Sequence, residues 1–430
     1  MPPSIRRLGL LFPLMLSFLS PAGAEETLPQ PLTLEAALAR ADAPAPELAL
    51  AASGRKAAEA VREEAGSRTR LRLDLEGRLR LGEPLGTGYS RNDSALTLVA
   101  RRRLTDFGRT RAALDAGDAE ARAAALRYRW ARWQRRLDIL DAYLDVLLAD
   151  RKFRIADERM AILFVRLDAR RDRHRLGQIS DVDLLELESR YQQARVARMQ
   201  AEAGQRLSRA RLAELLGVPG ELPAELSPVP TLDRTRFELP PLDRLENEVL
   251  ARHPGLQGLL AELEAAERRV AEAAAGNRPD LFFEAGAGDY ARAFGSRNRW
   301  HAGLVLSVPL ATGGRRDAAL ARARAERDEV RARIEAMRRE LRLELRRLVE
   351  EIGIQLARRE AADVRLEYRD LYLERSRALY ELEVETDLGD AMVELNDALR
   401  EQEEADQALL RARAQLDAML DRPPLAEVLE

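Results

Sequence analysis

The chain of 430 residues contains no cysteine. This absence excludes disulfide bonds, thiol catalysis, thiolate metal ligands and the attachment of a lipid to an N-terminal cysteine. A protein without these supports must be held together by the packing of its side chains or by association between copies.

Long apolar runs are also missing, apart from one near the amino end. Residues 8–19 are apolar, follow two arginines, and precede an Ala-Gly-Ala site that ends at Ala24. This arrangement predicts a secretory signal peptide over residues 1–24. A membrane anchor is the alternative, but the run is shorter than the ~20 apolar residues that a spanning helix needs. Since no later segment supplies such a run, no transmembrane helix is predicted in the mature chain.

Charge of one sign is not in excess, because the formal net charge is −3 and acids and bases are interleaved along the chain. No extended basic face results, so nucleic acid is not an expected partner. Histidine is scarce, and His174, His253 and His301 lie far apart without the spacing of metal ligands. We therefore expect no metal, no cofactor and no enzyme activity.

An internal repeat divides the chain. The segment DFGRTRAAL at 106–114 corresponds to TGGRRDAAL at 312–320, and LGQISDV at 176–182 corresponds to LEVETDL at 382–388. A proline-rich stretch, in which helix and sheet ladders are blocked, lies between the two halves. These features predict a signal peptide at 1–24, a first repeat at 25–217, a linker at 218–241, a second repeat at 242–421 and a C-terminal tail at 422–430.

Each half contains two segments with the two-residue period of a β-strand. In residues 69–81, leucines alternate with charged side chains, so one face of the strand is apolar and the other is charged. The other strands are predicted at 94–104, 281–288 and 300–310. The charged face of the first strand consists of Arg72, Asp74, Glu76, Arg78 and Arg80.

Such strands suit a transmembrane barrel, in which apolar side chains face lipid and polar side chains face a water-filled lumen. Four strands are too few to close a barrel, and an open edge in lipid would leave backbone groups unpaired. Three copies supply twelve strands, which is within the known range. The five charged residues are therefore predicted to line the lumen. The edge of a soluble sandwich is the alternative.

The rest of the chain has the composition of long helices. No proline occurs between Thr110 and Leu176, and a helix of that length would extend about 100 Å. The stretch 316–382 is its counterpart in the second half. Apolar residues and alanines recur every three or four positions, as they do in coiled coils. A soluble antiparallel coiled coil would explain these helices but leaves the strands unexplained.

Three segments resemble the TolC family of outer-membrane factors, namely LTDFGRTRAAL, LSVPLATGGRRDAAL and HRLGQISDVDLLELESR. The resemblance covers essentially all of the mature chain. It implies a mainly α-helical fold with a transmembrane β-barrel portion and two structural repeats per chain. In this fold a trimeric, 12-stranded barrel in the outer membrane continues into a long α-helical barrel in the periplasm.

The same resemblance implies an exit duct of a tripartite efflux or type I secretion system, which passively conducts substrate to the exterior. The implied partners are two further copies of the chain, a periplasmic adaptor (membrane fusion) protein, an inner-membrane pump and outer-membrane lipid. A soluble periplasmic coiled-coil scaffold or adaptor protein is the alternative function.

The turns between the long helices form the periplasmic mouth in this family and contact the adaptor. Ser180 and Thr386 are also expected to cap helix N-termini. In the second turn, Glu383 stands where glycine is usual. Glu383, Glu385 and Asp387 from three copies would form an acidic ring that favours cations, unless they only form a solvated turn. By position, the implied adaptor contacts are Arg175, Leu176, Gly177, Ser180, Asp181, Leu382, Thr386 and Asp387.

Overall fold

The two halves of the chain fold on the same plan. In a computed structural model, the described residues are 28–82, 91–218, 222–229, 237–291, 298–382, 384 and 387–425. The predicted signal peptide, residues 1–24, lies outside the described residues. Glu383, Glu385 and Thr386 of the second turn also lie outside them.

Within the described residues, each half contains two α-helices, two strands and two further α-helices in the same order. The first half consists of α1 (Leu34–Ala39), α2 (Pro46–Ser67), β1 (Leu71–Arg78), β2 (Ala95–Thr105), α3 (Arg109–Arg175) and α4 (Asp181–Leu216). The second half consists of α5 (Leu242–Arg252), α6 (Pro254–Ala274), β3 (Asp280–Tyr290), β4 (Trp300–Ser307), α7 (Arg315–Glu381) and α8 (Leu388–Met419). The long helices α3 and α7 have 67 residues each.

The long helices confirm the predicted boundaries to within one residue at each end. Each follows a glycine with a positive φ, 101° at Gly108 and 79° at Gly314, which glycine adopts without the steric penalty of a Cβ. Strand β1 is shorter than the predicted 69–81. Beyond Arg78 the hairpin continues only through single contacts, such as the hydrogen bond from the Asp93 N–H to the Arg80 carbonyl (2.8 Å).

The four strands form one antiparallel sheet in the order β1–β2–β3–β4. Pairing of β2 with β3 joins the two halves of the chain, with Ala100 opposite Ala285. Leu73 lies opposite Ala100 and Ala302 lies opposite Ala285, so these four residues form a row across the sheet. β1 and β4 are the edges, and every residue in both strands is exposed. Each copy therefore carries two open edges at which further strands can pair.

The long helices pack as two pairs, α3 with α4 and α7 with α8, and contacts between α3 and α8 join the pairs. Nearer the sheet, α2 packs on α3, while α6 packs on both α3 and α7. The helix order is therefore α4–α3–α8–α7 toward the tips and α2–α3–α6–α7 toward the sheet. Among the described residues, no helix has an apolar stretch long enough to cross a membrane.

Two apolar clusters hold the helices together near the middle of α3 and of α7. The first surrounds Tyr143 and Leu144 and includes Leu32 from the segment before α1. The Tyr143 hydroxyl lies 2.8 Å from the carbonyl oxygen of Leu32 and 2.7 Å from that of Ser227. This hydroxyl therefore fastens the described part of the linker, residues 222–229, to the first repeat.

The second cluster joins α5, α6, α7 and α8. Its members include Leu256, Leu345, Leu348 and Leu416, each only 1% exposed. Full burial of a leucine side chain stabilises a fold by about 1.5–3 kcal/mol. The packed core therefore lies at mid-length, and the sheet and the helical tips extend from it in opposite directions.

Candidate functional site: two sheet faces and two helical tips

The apolar face of the sheet is open to its surroundings. Leu73 and Leu75 of β1 are 62% and 69% exposed, and Leu304 and Leu306 of β4 are 66% and 61% exposed. Trp300 at the start of β4 is 74% exposed. A contiguous apolar patch of this kind is unfavourable in water and is typical of a surface that contacts lipid or another protein.

The opposite face of β1 is charged, and its charged side chains pair with one another. It carries Arg72, Asp74, Glu76 and Arg78, four of the five charged residues that the sequence singles out. The guanidinium–carboxylate distances are 2.9 Å for Arg72–Asp74 and 2.8 Å for Arg78–Glu76. Arg80, just beyond β1, lies 3.8 Å from Asp93. Exposed pairs contribute little stability, but they make this face wettable and almost neutral.

The charged face continues across the sheet through residues that sequence reasoning missed. Arg101 lies opposite both Arg72 and Glu284 in the strand register, and its Nε donates a hydrogen bond to the Glu284 carboxylate (2.8 Å). Nε2 of His301 on β4 lies 3.7 Å from the same carboxylate. The His301 ring fills the space over Gly286, where any Cβ would clash with it. Only the strand register could have revealed this cluster.

The first tip is the turn between α3 and α4. The positive φ of Gly177, 72°, allows the chain to turn after α3. Helix α4 begins with a capping box: the Ser180 hydroxyl accepts the Asp183 N–H at 3.2 Å, and the Asp183 carboxylate accepts the Ser180 N–H at 3.4 Å. The structure confirms the predicted capping role of Ser180.

The remaining residues of the first tip combine one exposed leucine with paired charges. Leu176 is 72% exposed. Nε2 of His174, in the last turn of α3, lies 2.6 Å from the Asp181 carboxylate at the start of α4, and Arg175 pairs with Asp172. The tip thus presents the apolar Leu176 side chain beside two pairs of charged residues, Arg175–Asp172 and His174–Asp181.

The second tip is described from Asp387 onward at the start of α8, and Thr386, the predicted cap, lies outside the described residues. The carbonyl oxygen of Asp387, the N-cap residue, accepts the Ala391 N–H at 2.9 Å. The Asp387 carboxylate does not cap the helix and instead accepts a hydrogen bond from the Tyr372 hydroxyl on α7. Leu382 is 71% exposed and matches Leu176 of the first tip.

Asp387 is the one member of the predicted acidic ring that the structure describes. Hydrogen bonds from Tyr372 and then from Ser376 lower the pKa of this carboxyl group, and the positive charge of Arg375 acts in the same direction. Repulsion within an unpartnered ring would raise the pKa instead. Within one copy, Asp387 is therefore a partnered carboxylate that stays ionised near neutral pH.

No group of three or more side chains suited to a metal ion occurs among the described residues. His253 is 1% exposed and lies against Trp130, with the ring centroids 4.5 Å apart. Its Nδ1 accepts the Leu256 N–H at 3.3 Å and so caps α6. Burial lowers the pKa of His253 to about 4. This histidine is therefore a neutral helix cap in the folded protein.

Acid is expected to destabilise the fold through His253. In the unfolded chain its pKa is about 6.5, whereas burial lowers the pKa to about 4 in the folded state. The unfolded state therefore binds more protons between these values, so stability is retained above about pH 6.5 and lost as the pH falls toward 4. His253→Asn keeps a capping oxygen without titrating. Its thermal midpoint, followed by circular dichroism, should vary less with pH than that of the parent; equal pH slopes would contradict this.

Comparison with known families identifies both repeats. The family model described as "Outer membrane efflux protein" matches residues 37–218 and residues 245–422. The two matched stretches together cover well over half of the chain, and the interval between them falls in the proline-rich region.

Individual relatives and solved structures agree with this match. The chain is 31% identical to the protein CyaE of Bordetella pertussis over 244 residues, which are 56% of this chain and 51% of that protein. The chain thus spans about half the length of this relative. It is similar in structure to VceC of Vibrio cholerae (19% identity, TM-score 0.71, 91% of this chain and 96% of that chain) and to the CmeC channel of Campylobacter jejuni (15%, 0.75, 90% and 85%). At these identities the likeness shows the fold, which is TolC-like.

Proposed function

Because this chain belongs to the outer membrane efflux protein family, we propose that it forms a passive exit duct for efflux or secretion. The protein lies in the outer membrane, with its long helices in the periplasm. The exposed apolar face of the sheet is the observation that carries the proposal, because this face needs lipid around it. A soluble coiled-coil scaffold would leave those leucines in water.

Three copies complete the duct. Strands β1 and β4 are open edges along their whole length, and unpaired backbone groups cannot face lipid. In a four-stranded antiparallel sheet the first and last strands run in opposite directions, so β4 of one copy can continue the antiparallel pattern with β1 of the next. Twelve strands then close a barrel with the apolar face outward and with Arg72, Asp74, Glu76, Arg78 and Arg80 toward the lumen.

The helical part offers matching edges. Helix α4 is exposed at Leu185, Val196 and Met199, and α7 is exposed at Val364 and Leu371, all between 54% and 65%. Both helices lie at the ends of the helix order within one copy, so each lacks a neighbour on its outer side. Packing of α4 against α7 of the next copy would cover these side chains and close a helical barrel beneath the sheet.

The absence of cysteine makes the trimer directly testable by cross-linking. Within one copy, β1 and β4 lie three strand spacings apart, about 14 Å, which is too far for a disulfide. Each cross-linking variant carries one cysteine at a position within 72–75 and a second at a position within 301–304. Oxidation should join these cysteines between copies and give dimer and trimer bands. A control pair at positions 73 and 100, which are opposite each other in one copy, should cross-link only internally. A complete register scan without intermolecular bands would contradict the trimeric barrel.

The helical tips are the proposed contact with a periplasmic adaptor, which in turn would meet an inner-membrane pump. The support is the placement of Leu176 and Leu382 at the far end of the long helices, both more than 70% exposed. Their polar neighbours Arg175, Asp181 and Asp387 already have partners. An adaptor would therefore bury the two leucines without desolvating an unpaired charge at these three residues.

Neutralising the proposed acidic mouth is expected to change ion conduction. Glu383→Gln, Glu385→Gln and Asp387→Asn together should reduce cation preference in planar bilayers, because rings of carboxylates favour cations. Tyr372→Phe is the matched test, since it removes one of the two side-chain hydrogen bonds to the Asp387 carboxylate and leaves the formal charge unchanged. If both variants conduct like the parent and are blocked equally by divalent cations, these acids are only a solvated turn.

A further inference from the structure

The two strand-to-helix junctions have the same backbone but different side chains. Phe107 and Gly108 before α3 have φ values of 54° and 101°, and Gly313 and Gly314 before α7 have φ values of 57° and 79°. The first N–H of each helix bonds back by three residues, at 3.4 Å in α3 and 3.2 Å in α7. The junctions can therefore be compared residue by residue.

At the first junction the chain supplies its own anion. Asp106 is 5% exposed, and its carboxylate accepts the Thr110 N–H at 2.8 Å as well as the Thr110 hydroxyl. The carboxylate thus lies at the positive end of the α3 dipole. Arg103 lies 3.7 Å from it and adds a second favourable charge. This junction is electrostatically complete.

At the second junction the corresponding position is Thr312, which has no charge to offer. The N-cap residue is a glycine at both junctions, and the acidic residue in the first turn of α7 is Asp317. A cavity of about 390 Å³ lies there, lined by Thr312, Arg109, Arg269, Arg315 and Arg316 among others. Glu272, the one acidic residue among its lining residues, pairs with Arg68 (2.6 Å). Four guanidinium groups thus surround the cavity, and its one carboxylate already has a partner.

Two of these arginines are not neutralised by the chain. Arg109 and Arg269 pair with Asp280 (2.7 Å) and Glu120 (2.9 Å). Arg315 has no ion-pair or side-chain hydrogen-bond partner among the described residues. Arg316 has no ion pair among the described residues and donates a hydrogen bond to the Ala274 carbonyl (3.1 Å). Guanidinium groups without a carboxylate partner are the groups that can pair with an anion in the cavity.

We propose that this cavity binds a phosphate or carboxylate group from outside the chain, in the place that the Asp106 carboxylate occupies in the first repeat. Arginine forks and a helix N-terminus are the groups that recognise such anions. The group can come from an anionic lipid, because the cavity directly follows Val308 and Leu310, which are 48% and 92% exposed below the apolar face. It can equally come from a soluble anion in the duct.

Two binding measurements on the detergent-purified full-length protein separate the sources. Inorganic pyrophosphate, titrated calorimetrically, probes a soluble anion. Retention of phosphatidylglycerol against phosphatidylcholine, counted by native mass spectrometry, probes a lipid headgroup. The proposal expects saturable binding of at least one probe. The double variant Arg315→Gln with Arg316→Gln should weaken it about tenfold or more, since charge-assisted hydrogen bonds are lost.

Thr312→Asp is the more decisive variant. It places a carboxylate at the position that corresponds to Asp106, on a backbone of the same conformation as that of the first junction. It should abolish binding while leaving the thermal midpoint unchanged or higher. Arg322→Gln is the control, since Arg322 is exposed on α7 and, among the described residues, forms an ion pair with Glu326 alone. This variant should bind like the parent. Failure of both probes to bind the parent, or equal binding by the parent and Thr312→Asp, would overturn the proposal.

Discussion

Leu73→Arg is expected to keep most of the protein out of the outer membrane. Leu73 lies on the apolar face, in the row that crosses all four strands, and is 62% exposed. An arginine on the lipid face near the bilayer midplane costs about 2–4 kcal/mol per copy. A trimer would incur this cost three times. Membrane fractionation followed by immunoblotting measures the inserted fraction.

The matched control changes the opposite face of the same strand. Arg78 makes an exposed ion pair with Glu76, and such pairs are worth at most about 1 kcal/mol. Arg78→Leu should therefore insert nearly like the parent. Leu306→Arg repeats the test on the other edge strand, where Leu306 is 61% exposed. Equal insertion of the arginine and leucine variants would show that the assignment of the two faces is wrong.

Leu348→Ala is expected to cause the second large loss, in this case of stability. Leu348 is 1% exposed within the cluster that joins α5, α6, α7 and α8. Replacing a fully buried leucine by alanine costs about 2–5 kcal/mol, because burial is lost and a cavity remains. Since the helical part has its core at mid-length, the loss should appear as a lower midpoint in denaturant unfolding followed by circular dichroism.

Leu348→Met tests whether the stability loss of Leu348→Ala comes from the cavity or from any substitution at this position. Methionine has nearly the same volume as leucine, so this variant should lose less than about 1.5 kcal/mol. If alanine and methionine proved equally harmful, the loss would not come from a cavity. If both proved harmless, position 348 would not belong to the core.

The long helices and the two faces of β1 could be predicted from the sequence, because each depends on the spacing of residues that are close together along the chain. Residues 110–176 contain no proline and carry apolar residues at helical spacing, so one unbroken helix is the favourable solution whatever surrounds it. In residues 69–81 the alternation of leucine with charge sends the two kinds of side chain to opposite faces without reference to any partner strand. The structure places both features as predicted.

The cluster of Arg101, Glu284 and His301 could not be predicted from the sequence, because it depends on residues that are far apart along the chain. Arg101 stands within a run of three arginines, so alternation does not show which of them shares a face with Arg72. Its facing becomes clear only from the pairing of β1 with β2 and of β2 with β3, which brings together residues 183 positions apart. Strand register depends on such distant contacts and leaves no local signal.

The contact made by Asp387 was also beyond what the sequence could show. Aspartate is a good capping residue, but the Asp387 carboxylate accepts a hydrogen bond from Tyr372 of the neighbouring helix and does not cap α8. Capping preferences describe one turn of chain, whereas this contact depends on a hydroxyl group fifteen residues earlier.

The sequence by itself determined the two-fold repeat, the length of the helices and the presence of one apolar and one charged strand face, since each depends on spacing along the chain. Only the tertiary structure decided which charges meet across the sheet. It also decided that Asp387 is partnered, and that the arginines at the start of α7 surround a cavity while the start of α3 holds Asp106. The physical reason is that hydrogen bonds and ion pairs act over a few ångströms in space. Whether distant residues come that close is settled by how the helices and strands pack.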